Sequence, residues 1–234
     1  MQAIVLVGGV GARLRPITDK IPKAMIPLQG KPFLEHQLML LKRNGILDIV
    51  LSVGYRGNKI KDYFGDGSKF GIGISYSEEA EKLMGTAGAL KNAWGLLEDT
   101  FFVTYGDAFL LLDYQEVMVY FKKADKLGLM VAYKNFDKYD RSNVVVENSM
   151  VKIYDRNRKF PDMVYIDFGV SVLRKKALDL IPHGKVIDLG ELNQELIKRN
   201  ELLAFETNQR FYEVGSPEGL KEFEQLVSSG QIKI

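Results

Sequence analysis

The chain has 234 residues, 46% of them hydrophobic, a net charge of +2 and no cysteine. Acids and bases are interspersed, which argues against a dedicated nucleic-acid binder, where a basic stripe is expected. Without cysteine there is no disulfide, thiolate zinc site or cysteine nucleophile, and two histidines, His36 and His183, leave little scope for a histidine metal cluster.

The length fits one large α/β domain or two small ones, and the apolar share suffices for a sizeable core. Met-Gln-Ala and a five-residue apolar run open the chain. That run is too short for a signal-peptide core or a membrane span. The expectation is a soluble cytoplasmic protein with no membrane or nucleic-acid partner.

Residues 2–7 read as a buried strand ending at Val7. The run breaks at Gly8-Gly9-Val10-Gly11, and Arg13, Arg15 and Lys23 follow in a segment too rich in glycine and proline for a regular helix. A glycine turn after a buried strand lets backbone N–H groups approach a phosphate, and Arg and Lys supply the charge to hold it. A polyphosphate site at the end of the first strand is the functional reading; a turn with solvated cations is the structural one. Two familiar phosphate motifs fail here. Leu14 stands where G-x-G-x-x-G needs its last glycine, and no Gly-Lys-Ser/Thr completes a P-loop.

Residues 27–32 form a turn-rich connection. Residues 33–44 have helical spacing and stop at Gly45, and residues 48–53 are the next apolar strand. Strand, helix and strand imply a right-handed βαβ unit. A short helix at 58–64, a strand at 72–77, a helix at 86–97, a strand at 100–105, a helix at 114–126 and a strand at 129–133 continue the alternation. Beyond residue 140, strands are expected at 143–147, 150–154, 165–173 and 202–206, and helices at 175–180, 189–199 and 217–228. The fold class is α/β: a Rossmann-like, twisted, mainly parallel sheet with helices on both faces. Ligands in such sheets bind outside the carboxyl ends of strands. The Gly8–Gly11 turn, residues 78–88 and Asp107 all follow strands and can share one rim. One domain over 1–234 is expected, with 1–135 as a nucleotide-binding core and 136–234 as a lid or acceptor-binding half.

Asp107 ends a strand in V-T-Y-G-D, where a carboxylate is placed to hold Mg²⁺ or simply to begin a turn. Glu213 precedes Ser216-Pro217, a good helix start, and is either a second carboxylate for the metal or a surface strand residue. In residues 78–88, Gly85 and Gly88 flank Thr86-Ala87, which would let the backbone lie flat against a planar base. The helix start there adds N–H donors and a positive dipole, whereas Glu81 and Lys82 read as a solvated loop. Asp155, Arg156, Arg158 and Lys159 make a second cationic cluster, suited to a monoester phosphate or to a charged turn. Asp167 beside Gly169 could bind sugar hydroxyls or mark a strand irregularity.

Taken in order, G-G-V-G-A-R-L-R-P-I-T, Pro22-Lys23, G-T-A-G-A, Gly106-Asp107, the 155–159 segment, Asp167-Phe168-Gly169 and Y-E-V-G-S-P-E closely resemble the sugar-1-phosphate nucleotidylyltransferases across nearly the whole chain. G-T-A-G-A-L and Y-E-V-G-S-P-E are most similar to the mannose- and heptose-1-phosphate guanylyltransferase branch. The resemblance implies a GT-A-like nucleotidyltransferase architecture and an Mg²⁺-assisted attack of a sugar-1-phosphate oxygen on the α-phosphorus of a nucleoside triphosphate. An NDP-sugar and pyrophosphate result, with no covalent enzyme intermediate. It implies that Arg13, Lys23 and Asp107 are catalytic, with Arg15 a lesser candidate. Asp107 and Glu213 would hold the metal. Val7, Gly8, Gly9, Gly11, Arg13, Glu79, Gly85, Thr86 and Gly88 would bind the nucleotide, and Asp155, Arg156, Lys159, Asp167 and Gly169 the sugar phosphate. A homo-oligomer is left open.

Three positions depart from the family pattern. Glu213 replaces the usual second aspartate, Asp155-Arg156 replaces a Glu-Lys pair, with Lys159 as a substitute cation, and Asp167 replaces a frequent asparagine. Two competing readings are a cytidylyltransferase for phosphocholine-like substrates and a silent subunit that senses nucleotide sugars. The second would be favoured by loss of Arg13, Lys23 or Asp107, and all three are present.

Overall fold

The computed structural model describes residues 1–79, 83–182 and 184–232. His183 and the solvated-loop pair Glu81 and Lys82 lie outside the described residues. Strand β1 (Gln2–Leu6) leads through three single 3-10 turns and a small hairpin, β2 (Pro27–Leu28) with β3 (Lys31–Pro32), into helix α1 (Phe33–Arg43). Then come β4 (Asp48–Val53), α2 (Gly57–Phe64), β5 (Gly73–Glu78), α3 (Gly85–Asn92), β6 (Thr100–Tyr105), β7 (Ala108–Leu110), α4 (Tyr114–Lys122) and β8 (Gly128–Lys134). The later part holds β9 (Val144–Glu147), β10 (Met150–Tyr154), β11 (Tyr165–Arg174), α5 (Leu189–Lys198), β12 (Leu202–Thr207), β13 (Phe211–Glu213) and α6 (Pro217–Ser228).

Nine strands form one sheet in the order β5-β4-β1-β6-β11-β8-β12-β10-β9. The expected parallel arrangement holds for β5, β4, β1 and β6. Beyond β6 the sheet is mixed, because β11 runs antiparallel to both β6 and β8, while β12 is parallel to β8. Local chemistry explains one reversal. Asn148 and Ser149 both have positive φ, 50° and 59°, the backbone of a tight hairpin turn, and so β9 and β10 pair antiparallel.

Side chains of β1 alternate between two cores: Ala3 and Val5 on one face, Ile4 on the other. Leu34 and Leu38 of α1, Phe64 of α2 and Phe121 of α4 cover the first face. Leu90 of α3 and Leu192 and Leu196 of α5 cover the second. Helices therefore flank both faces of the sheet. A third, smaller cluster joins Leu28, Phe33, Phe109, Val214 and Phe223.

Helix ends follow their caps. The Asp113 side chain accepts the N–H groups of Gln115 and Glu116 at the start of α4, each at 3.0 Å. Ser216 caps α6 with Pro217 in the first turn. The helix expected over 86–97 ends at Asn92 and tightens into a 3-10 turn at Trp94–Leu96. The helix expected at 175–180 is wholly 3-10. The helix expected over 114–126 stops at Lys122. Sequence periodicity missed β7 and β13, which are three residues long and pair only with each other. No described helix is long and apolar enough to cross a membrane.

Candidate active site

The rim is built where β1, β4, β5 and β6 end. Val7 donates its N–H to the Ser52 carbonyl, and Gly106 donates to that of Leu6, at 2.9 and 3.0 Å. These bonds carry the parallel ladders past the strand ends and lock three loops side by side. A Cβ on Gly106 would lie 2.2 Å from Val7 Cγ1, and one on Gly8 would lie 2.9 Å from Glu79 Oε2. Gly106 is required by this close approach, whereas a side chain at Gly8 would displace the Glu79 carboxyl. Gly9 differs: it lines the first cavity, and nothing lies within 4 Å of its Cβ position. The protein's own packing does not need a glycine there, so its bare backbone serves the space in front of it.

That first cavity, about 270 Å³, is bounded by Val7, Gly8 and Gly9 on one side, by Glu79, Leu83, Gly85 and Thr86 on another, and by Lys23, Tyr105 and Asp107 at its inner end. Gly11, Arg13 and Gly88 do not line it. Gly11 shapes the loop instead, with φ +65° and its carbonyl accepting from Thr18 Oγ1 at 2.9 Å. The Glu79 carboxyl accepts the Met84 N–H through Oε1 at 2.9 Å, and burial pushes its pKa up.

The start of α3 does not present free N–H donors, as the sequence suggested. Ala87 and Gly88 both donate to the Ile187 carbonyl, at 2.9 and 3.1 Å. The Thr86 hydroxyl accepts the Leu189 N–H at 2.6 Å, and the Thr86 N–H points at Asp188 Oδ1 from 3.4 Å. The helix start is thus spent on the segment before α5. Gly88 is small because its Cβ would meet Met84 Cβ at 2.7 Å. Asp188 joins the cavity wall; the sequence marked only a helix start there.

At the inner end, Lys23 Nζ hydrogen-bonds Asp107 Oδ2. Asp107 precedes β7, whose Ala108 pairs with Glu213 of β13, and the Asp107 carbonyl accepts the Val214 N–H at 2.8 Å. This ribbon sets two carboxylates side by side in the wall of a second cavity. Partial desolvation and the nearby Asp107 charge raise the Glu213 pKa, while Arg13 and Lys23 pull it down. Gly215 completes the junction. A Cβ there would lie 2.9 Å from Asp107 Oδ2, 3.0 Å from Arg13 Nη2 and 3.6 Å from Lys23 Nζ. Arg13, Lys23 and Asp107, far apart in sequence, therefore converge over one glycine. Arg15 turns away and pairs with Asp19 on the surface.

The second cavity, about 380 Å³, lies between this junction and β11. Arg156, Asp167 and Gly169 line it. Asp167 accepts the Gly169 N–H at 2.9 Å, lies 4.0 Å from Arg156, and has its pKa raised by burial. Gly169 takes φ +87°, open to glycine and strained for other residues. Asp155 and Lys159 do not reach this wall. Asp155 caps its own turn, accepting the N–H groups of Asn157 and Arg158. Lys159 pairs with Asp137 and holds that carboxyl down to about 2. Asp140, Arg141 and Asn143, unmarked by the sequence, line the cavity instead. Asn135, Asp137 and Ser142 hydrogen-bond among themselves to hold their loop. His36 is buried against the Leu28 carbonyl and takes no part.

The site is thus two adjoining cavities meeting at two carboxylates and two cations, suited to phosphate chemistry. The profile of the nucleotidyl transferase family matches residues 2–157. The D-glycero-alpha-D-manno-heptose 1-phosphate guanylyltransferase of Campylobacter jejuni is 33% identical over 95% of this chain and 98% of its own length. The mannose-1-phosphate guanyltransferase 2 of Candida glabrata is 30% identical over 93% of this chain, which spans 62% of that longer protein. HddC from Yersinia pseudotuberculosis, solved in complex with GMP-PN, superposes with a TM-score of 0.79 at 26% identity, covering 97% of this chain and 99% of that one. With the profile covering the glycine loop, Lys23 and Asp107 within residues 2–157, the chain belongs to the nucleotidyl transferase family.

Proposed function

We propose that the protein transfers a nucleoside monophosphate from a nucleoside triphosphate to a sugar-1-phosphate, giving an NDP-sugar and pyrophosphate. The observation that carries this reading is the convergence of Arg13, Lys23 and Asp107 over Gly215, where the two cavities meet. The first cavity takes the nucleotide, and the second takes the sugar phosphate. In this reading residues 1–135 supply most of the nucleotide site and residues 136–234 most of the acceptor site. An acceptor phosphate oxygen forms the new bond to the α-phosphorus, and the bond to the β-phosphate oxygen breaks. Its electron pair leaves with pyrophosphate. No side chain needs to become covalently attached, so the protein contributes alignment and charge neutralisation. Arg13 and Lys23 offset the charge that grows on the phosphates. Arg156 holds the acceptor phosphate, with Arg141 on the same wall. Asp167 and Asn143 face the sugar.

Asp107 and Glu213 fit a divalent cation. Glu213 ends the ribbon and Asp107 adjoins it, burial and then the Asp107 charge raise the Glu213 pKa, and hard cations such as Mg²⁺ take one or two carboxylates plus substrate phosphates. When bound, Mg²⁺ would act as a Lewis acid on the phosphates. We predict that Glu213→Gln needs several-fold more Mg²⁺ for half-maximal rate, because one ligand charge is lost. An unchanged Mg²⁺ titration would return Glu213 to a structural role.

GTP with heptose- or mannose-1-phosphate is the favoured substrate pair, supported by the names of the relatives and by the GMP-PN complex of HddC. The test is a matrix of the four nucleoside triphosphates against heptose-, mannose-, glucose- and amino-sugar-1-phosphates, with phosphocholine added, read by pyrophosphate release. Turnover is expected in the GTP row. Turnover confined to CTP with phosphocholine would replace the reading, and silence across the matrix would favour a sensing role.

A further inference from the structure

Among the described residues, only two line both cavities: Asp107 and Tyr105. Asp107 already has a role, and Tyr105 has none. It is the last residue of β6, so the sheet fixes its backbone. Its carbonyl accepts from Gln37 Nε2 at 2.7 Å. On the far side its ring passes 3.7 Å from the Cβ position of Gly169. The left-handed backbone of Gly169 leaves that side of the ring uncovered. Tyr105 therefore stands at the partition between the two cavities, with an edge of its ring toward Gly169.

The surroundings of the ring are polar. Tyr105 shares the wall of the second cavity with Arg156 and Asp167, and burial beside the Asp167 charge pushes its pKa up while Arg156 opposes the shift. Arg156 also lies over the Tyr154 ring, 5.7 Å from its centre. Tyr154 is 4% exposed, and its hydroxyl is buried without a hydrogen-bond partner. The Tyr154 ring thus lies beneath a guanidinium that shares the wall of the second cavity with Tyr105. A phenol can accept one N–H and still donate its own O–H. A guanidinium has five N–H donors, so Arg156 can serve both phenols and a phosphate at once. Asp167 is occupied by the Gly169 N–H. The Tyr105 O–H is then a neutral donor on the one uncharged side chain that lines both cavities among the described residues.

We propose that Tyr105 is an acceptor-binding residue whose hydroxyl donates to the phosphate of the sugar-1-phosphate while its oxygen accepts from Arg156. Tyr154 is a positioning residue that seats the same guanidinium from below. Together they set the angle at which the acceptor oxygen faces the nucleotide. The proposal rests on reading the second cavity as the acceptor site.

The experiment compares wild type with Tyr105→Phe and Tyr154→Phe, both close to isosteric, on the substrate pair the wild type uses. Tyr105→Phe is expected to raise KM for the sugar-1-phosphate by about 10-fold, the scale of one hydrogen bond to a charged group. Its affinity for a fluorescent GTP analogue is expected to stay unchanged. Tyr154→Phe keeps the ring beneath Arg156 and removes a hydroxyl that has no hydrogen-bond partner, so it is the control and shifts this constant little. An unchanged acceptor KM in Tyr105→Phe, or an equal loss of nucleotide affinity, overturns the proposal. If the wild type turns over no pair, the functional reading fails separately. Calorimetric titration with mannose-1-phosphate and with inorganic phosphate then decides: weaker binding of either to Tyr105→Phe supports the contact. Equal binding, or no binding to the wild type, overturns it.

Discussion

Arg13→Ala, Lys23→Ala and Asp107→Ala each lower the rate of pyrophosphate release by about 10²–10³-fold, the scale for removing one charge-stabilising group from a preorganised site. The fold is expected to survive all three. Lys23 and Asp107 retain side-chain exposures of 22% and 19%, and both line an open cavity, so water reaches the charge left when its partner is removed. Circular dichroism and the urea midpoint therefore stay close to wild type. The double variant Lys23→Ala with Asp107→Ala should lose much less than the product of the single losses, since groups that act as a unit are not additive. Near-normal release by all three single variants would remove the catalytic assignment. A collapse of the urea midpoint in step with activity would make the losses structural.

The second large effect comes from a residue with no reactive group. Gly215→Ala places a methyl 2.9 Å from Asp107 Oδ2 and 3.0 Å from Arg13 Nη2. The Asp107 carboxylate must shift and the Arg13 guanidinium must give by a few tenths of an ångström, which disturbs the alignment of the two. A displacement near 1 Å costs about 10²-fold where alignment carries the rate, and a drop in kcat of that order is expected. Gly95→Ala is the control: nothing lies within 4 Å of its Cβ position, and full activity should remain. Equal kcat for both variants would show that the junction accommodates the methyl.

Much of this site was legible before any coordinates. The alternating strands and helices located the rim, and the motifs singled out the glycine–arginine loop, Gly106-Asp107 and Glu213, which the fold brings near one another. What stayed hidden depends on contacts between distant segments. Gly215 does not have the positive φ that marks a glycine as a turn residue; its smallness is demanded by side chains from elsewhere in the chain. The N–H groups opening α3 looked free because their acceptor, the Ile187 carbonyl, comes a hundred residues later in sequence. The charges of Asp155 and Lys159 pointed to a phosphate, yet the first closes its own turn and the second meets Asp137. Charge pattern alone does not distinguish a cation aimed at a ligand from one already paired. β7 and β13 are too short for periodicity to register.

That short ribbon has a consequence for how the enzyme fails on heating. It carries Glu213 and adjoins Asp107, but it is not part of the nine-stranded sheet. Phe109 and the adjoining Val214 rest on Phe33 and Phe223 in the smallest of the three cores, and Leu110 and the half-buried Phe211 tie the ribbon's other face to the first core. Regions with few buried apolar contacts open at lower free energy than the global transition. The ribbon can lift while the sheet stays intact, so inactivation on warming should precede loss of bulk secondary structure, and a protein cooled promptly should regain its activity.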